Sequence, residues 1–154
     1  MHELIRTLLV YAAVLAMILG GFYLFKQNRN KVQIDATDRS MSPEYQTGSY
    51  NVMSGTIQVG DAVAFATPDK PDEWRIARVI ALSGQRVEID ATGGVKVDGT
   101  AKPQKCESPA RPLEIQVPAA SAFLLTDQTG AVDSSKLGPV PLYQIIGKLK
   151  PGSD

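Results

Sequence analysis

The sequence has almost none of the side chains on which metal and redox chemistry usually rest. It contains one cysteine, Cys106, and one histidine, His2. A lone cysteine excludes an internal disulfide, and with a single histidine beside the first residue no zinc site is expected, nor any other metal or cofactor. An excess of either charge is also missing. The 16 Lys and Arg are matched by 16 Asp and Glu, which offers no polyanion-binding surface and excludes nucleic acid as an expected partner. Low-complexity tracts are absent, and charged residues are only 21% of the chain, which argues against disorder. At 154 residues there is room for one small domain and not for a multidomain enzyme.

What the sequence does have is one long apolar run. Thr7 to Phe25 carries no charge, and at about 1.5 Å per residue a helix over it reaches roughly 28 Å, about one bilayer core. A cleaved signal peptide has a shorter apolar core and an A-x-A-like site, whereas this run ends in Phe22, Tyr23, Leu24 and Phe25; it reads as an uncleaved, single-pass anchor. Lys26, Arg29 and Lys31 form a basic collar after it. Counting positive charges alone, that collar favours a body on the cytoplasmic face. Residues 1–31 are therefore expected to form an anchor and collar, with the span at about 7–25, and residues 32–154 a separate body.

In that body the pattern changes to short alternating segments broken by Gly, Pro, Asp and Asn, which predicts a mainly β fold, a partly closed barrel or paired sheets. Strands are expected at Val32 to Ala36, Gly48 to Met53, Ala62 to Ala66, Trp74 to Leu82, Arg86 to Asp90, Val95 to Val97, Ala122 to Leu125 and Ile145 to Leu149. Reversals are expected at Gly60, Gly84, Gly93, Gly99 and Gly138. Lys102 to Pro112, with three prolines, reads as a loop holding an unreactive Cys106, and Lys96 as a solvent-facing hairpin residue.

Two segments offer chemistry: Ser40 within Asp38-Arg39-Ser40-Met41-Ser42-Pro43, and the Asp133-Ser134-Ser135 cluster. A serine needs an adjacent base to become a nucleophile. With His2 on or before the apolar span a Ser-His-Asp triad is excluded, which leaves lysine as the common alternative. Taken alone, Ser-x-Ser-Pro is equally a plain turn.

The order of segments resembles the type I signal peptidase family of membrane-anchored Ser-Lys endopeptidases over Asp38 to Lys150. Ser40-Met41-Ser42-Pro43 is similar to that family's S-M-x-P box, whose serine attacks the scissile carbonyl, and Gly48-Ser49 to the Gly-Asp after it. Gly60-Asp61-Ala62-Val63-Ala64-Phe65 resembles G-D-I-V-V-F, and Arg78 to Val87 resembles R-V-I-G-L-P-G-D-R-V. Val95 to Gly99, Val117-Pro118, Phe123 to Gln128 and Asp133 to Pro141 follow the family's V-x-V-N-G, V-P, F-x-x-G-D-N and D-S-R-x-x-G-x-V-P in the same order. The resemblance implies a supporting ion pair between Arg78 and Asp127 and a supporting role for Asp133 and Ser134. Met41, a residue type that fills irregular apolar gaps, reads as a hydrophobic plug near the membrane face rather than a substrate contact.

The departures fall on the catalytic positions. Ala77 stands where the family has its general-base lysine, and a methyl group accepts no proton. Arg75 and Arg78 flank it, but a guanidinium stays protonated. Asp38 stands where some members place a hydroxyl that helps hold the oxyanion, and a carboxylate there opposes negative charge. The resemblance thus implies a signal-peptidase-like endopeptidase acting on secreted or pilin-like precursors with impaired catalysis, its base drawn if at all from Lys70, Lys136 or a partner chain. The alternative is a non-catalytic factor on the same fold that binds extended peptides by strand addition or assembles with another membrane protein. The expected partners are an extended precursor segment, the lipid bilayer and, in the second reading, a membrane protein. The resemblance also places the body on the outer face, against the collar.

Overall fold

The computed structural model describes residues 2–28, 31–35 and 37–150. Arg29 of the collar and Ala36 of the first expected strand lie outside them. The chain divides into two compact units, 1–31 and 32–154. In the first, α1 (His2–Asn28) holds a stretch, Ile5–Leu24, of mean hydropathy 2.1, none of it buried. A helix apolar on every side has no polar face to turn to water, and this one is long and apolar enough to cross a membrane.

Among the described residues, the second unit has eleven strands, one short α-helix and a 3-10 turn at Leu142–Gln144. The strands are β1 (Lys31–Ile34), β2 (Gly48–Met53), β3 (Ala62–Thr67), β4 (Lys70–Leu82), β5 (Arg86–Ile89), β6 (Gly94–Val97), β7 (Thr100–Lys105), β8 (Leu113–Gln116), β9 (Ser121–Leu125), β10 (Val140–Pro141) and β11 (Ile145–Leu149). Helix α2 (Ser134–Leu137) lies between β9 and β10. A seven-stranded sheet has the order β1-β2-β11-β3-β4-β9-β10, and a four-stranded sheet the order β7-β6-β5-β8. All recorded strand pairs are antiparallel. The mainly β, paired-sheet expectation therefore agrees with the structure.

Side-chain alternation sorts the core. On β3 and β4, Ala62, Ala64 and Ile76 join Met41 and Tyr45 in one cluster, while Val63, Phe65, Ala77 and Val79 join Leu124 in another. A third cluster lies under the small sheet and takes Ile80 and Ala81 from the end of β4. The register of β4 against β9 shifts between Val79 and Ala81, which lets one strand serve both cores.

The expected loop at Lys102 to Pro112 is corrected: its first part continues β7, and β8 follows at Leu113. Proline cannot donate to a ladder and is confined to edge strands or irregular pairing. β7 is an edge strand, and its pairing with β6 shifts between Gly94↔Lys105 and Lys96↔Ala101, across Pro103. Cys106 is correspondingly a core residue, its Sγ 3.7 Å from the Gly93 carbonyl and its thiol pushed up chiefly by burial. Gly93, at φ 81°, is obligatory, since a Cβ there would lie 2.2 Å from the Cys106 carbonyl oxygen. Lys96 is exposed on β6.

Candidate functional site

Ser40 sits on the turn after β1, half-buried. Asp38 closes that turn: its Oδ1 accepts the Ser40 backbone N–H at 2.9 Å, an Asx arrangement that short acidic side chains favour. The other side of Ser40 is tied to the end of β9, because the Gln128 N–H donates to the Ser40 carbonyl at 2.9 Å. Gln128 Nε2 also donates to the Ser42 carbonyl at 3.0 Å. Met41 and Tyr45 are buried in the cluster that includes Ile76. The segment is thus held by two apolar anchors below and one glutamine above.

Arg78, on β4, is the electrostatic centre. Its Nε and Nη2 donate to the two oxygens of Asp127 at 2.9 and 2.6 Å, a fork that fixes orientation as well as distance. Nη2 also donates to Glu44 at 2.7 Å, and Nη1 to the Gly60 carbonyl at 2.9 Å. Gly60 turns at φ 97°, a conformation only glycine adopts freely. The hydrogen bonds it donates to Asp127, then that to Glu44 and the charge of both carboxylates, hold the guanidinium above its ordinary value despite burial. Glu44, which no motif singles out, clips the serine segment to β4.

Tyr45 carries the electrical consequence. Burial first, and the Glu44 charge second, push its phenol up to about 12, with Arg78 opposing. A phenol whose folded-state value exceeds its free value of 10.0 stabilises the fold below about pH 10 and loses that contribution as the pH rises towards 12. Unfolding midpoints measured across that window are expected to fall, and Tyr45→Phe to remove the part due to this residue.

A groove of about 510 Å³ opens here, lined by Ser42, Pro43, Glu44, Gly60, Arg78, Pro103, Gln104, Asp127 and Gln128. A smaller one of about 260 Å³ is lined by Asp38, Arg39, Ser42, Tyr45, Gln46 and Thr47. Among the described residues no lysine borders either groove.

Ala77 is wholly buried, paired with Val63 across β3 and packed in an apolar cluster with Phe65, Val79 and Leu124. The two lysines considered as substitutes are engaged with other partners. Lys70 Nζ lies 2.7 Å from Glu73, and Lys136 Nζ lies 3.1 Å from Glu107. Asp133 caps α2, its Oδ1 accepting from the Ser135 N–H at 2.9 Å and its hydroxyl at 2.6 Å, while Oδ2 accepts from the Thr126 N–H and Oγ1 at 3.2 Å. Ser134 Oγ, wholly buried, accepts the Leu124 N–H at 2.9 Å. These two residues bind α2 to β9 and so fix the strand end that carries Asp127 and Gln128. Among the described residues no group of three His, Cys, Asp or Glu is placed to hold a metal.

A sequence model of the family described as signal peptidase, peptidase S26, matches residues 1–151. Among solved structures, a signal peptidase I from Enterococcus faecalis V583 has the same fold, with a TM-score of 0.52 and 21% identity over 62% of this chain and 98% of that one. No curated protein sequence matches significantly. With the family match running nearly end to end and the two-sheet fold shared, the chain belongs to the signal peptidase family, peptidase S26.

Proposed function

We propose that this chain is a membrane-anchored, signal-peptidase-like protein that engages extended segments of precursor proteins, secreted or pilin-like, and hydrolyses them poorly or not at all. The observation that carries the reading is the pair of departures at the family's catalytic positions, Ala77 and Asp38. Removing a general base forfeits about 10²- to 10⁴-fold in rate. Ala77 supplies no acceptor, and it packs among Val63, Phe65, Val79 and Leu124. The backbone N–H of a nucleophilic serine is a usual donor to the oxyanion, and one such donor is worth about 10²- to 10³-fold. Here that N–H is already bonded to the Asp38 carboxylate. An incoming oxyanion would have to displace an anion, so both contributions are lost together.

The test is a cleavage assay of the full chain in detergent against a precursor peptide with small residues before the scissile bond. Native protein and Ser40→Ala are expected to give the same background rate. Native turnover that Ser40→Ala abolishes defeats the reading. The variant itself should fold normally, because among the described residues the Ser40 hydroxyl has no hydrogen-bond partner; a loss of at most about 1 kcal/mol is expected. With α1 as the anchor, we place the body on the outer face, a reading that membership of the family supports. Protease added to sealed spheroplasts should degrade the body, and protection there would place it inside.

A further inference from the structure

We infer that Arg75 selects a carboxylate side chain in the extended peptide that adds to the free edge of β4; this rests on the peptide-engaging reading above. β4 is 13 residues long, yet β9 pairs with it only from Arg78 to Leu82. From Lys70 to Ala77 the edge away from β3 has no strand partner among the described residues. Such an edge presents backbone N–H and C=O groups to an added strand, while alternate side chains read its sequence. Trp74 and Ile76 turn to the cluster holding Met41, so Arg75 stands on the opposite face, with Ala77.

Arg75 is half-satisfied. Three residues further on, Arg78 offers Nε and Nη2 as a fork to both oxygens of Asp127. In Arg75, Nη2 meets Glu73 Oε1 at 3.2 Å, while Nε is buried without a hydrogen-bond partner. A cationic N–H without an acceptor is unfavourable, and what the fork lacks is the second oxygen of a carboxylate. Glu73 does not supply it. That side chain is 52% exposed, and its other oxygen is held by Lys70 at 2.7 Å. The Arg75 side chain is 27% exposed, so it can swing from Glu73 to an Asp or Glu on the added strand, and Lys70 keeps Glu73 neutralised. The bound side chain then makes the fork that Arg78 makes with Asp127.

The experiment uses fluorescently labelled decapeptides of Ala and Val with one Glu, Gln or Lys scanned through the sequence, titrated by anisotropy against the full chain in detergent at low salt. At one position the Glu peptide is expected to bind about tenfold more tightly than its Gln or Lys counterpart, as a bidentate charge-assisted pair warrants. Arg75→Gln should abolish the preference, Arg75→Lys should weaken it, and Arg75→Glu should reverse it towards the Lys peptide. Thermal unfolding of each variant confirms that it is folded. Equal affinities for Glu and Lys peptides at every position, or a preference that survives Arg75→Gln, overturns the role of Arg75 and leaves peptide engagement standing. Absence of binding by every peptide to the native chain overturns peptide engagement itself, and this inference with it.

Discussion

Arg78→Ala should destabilise the body by about 3 to 5 kcal/mol, because it leaves carboxylates facing no cation in a largely buried site. Arg78 and Asp127 are 15% and 16% exposed, so water does little to screen either. The second carboxylate, Glu44, is 45% exposed and adds less, but its loss frees the serine segment from β4. For a domain of this size the melting temperature should fall by roughly 10 to 20 °C. Arg75→Ala is the control: its partner Glu73 is half exposed, and such pairs are worth at most about 1 kcal/mol. An Arg78 and Asp127 double-mutant cycle should give a coupling above about 2 kcal/mol, and Arg78→Lys should recover only part of it, since an ammonium cannot form the fork. Equal losses for the two arginines, or an uncoupled cycle, would show that the pair is not what holds β4 to the end of β9.

The parts of this molecule that could be read directly are those whose physics is local. The charge-free run fixed α1, and the alternation Val87, Ile89 and Val95, Val97 fixed a hairpin with one buried face. β7 was hidden because Pro103 is the usual sign of a loop, and only its place at a sheet edge makes proline tolerable there. β8 was hidden because its four residues, Leu113–Gln116, set between Pro112 and Pro118, give too short an alternation to distinguish from a connection. The site was legible to the extent that it follows motif order. Arg78 and Asp127 are 49 residues apart, and nothing in local pattern joins them; the family boxes did. Glu44 has no such box, and its contact with Arg78 spans 34 residues. Asp38 could be read as a misplaced charge. That its carboxylate takes the N–H of Ser40 itself depends on the backbone angles of the turn, which composition does not encode.

Ala77→Lys combined with Asp38→Ser is expected to raise Ser40-dependent cleavage at least 100-fold above the native chain, a gain on the order of what a restored base and a freed oxyanion donor each provide. The environment at position 77 favours the neutral amine. It is wholly buried between Val63 and apolar neighbours, and desolvation of that kind lowers a lysine by as much as about 3 to 5 units, enough to make it a base near neutral pH. The same burial makes the substitution costly, by about 2 to 4 kcal/mol from overpacking and desolvation together, so rates should be measured below the lowered melting temperature. Asp38→Ser is the necessary companion, because a lysine alone would still leave the Ser40 N–H bonded to a carboxylate. Each single variant should therefore gain less than the double, and adding Ser40→Ala should return the rate to background. If the native chain already matches the double variant, a base outside position 77 is at work and the impaired-enzyme reading fails. If the double variant is folded, binds peptide and still does not cleave, position 77 does not direct its side chain to Ser40, and the chain is a peptide-binding member of its family by geometry as well as by substitution.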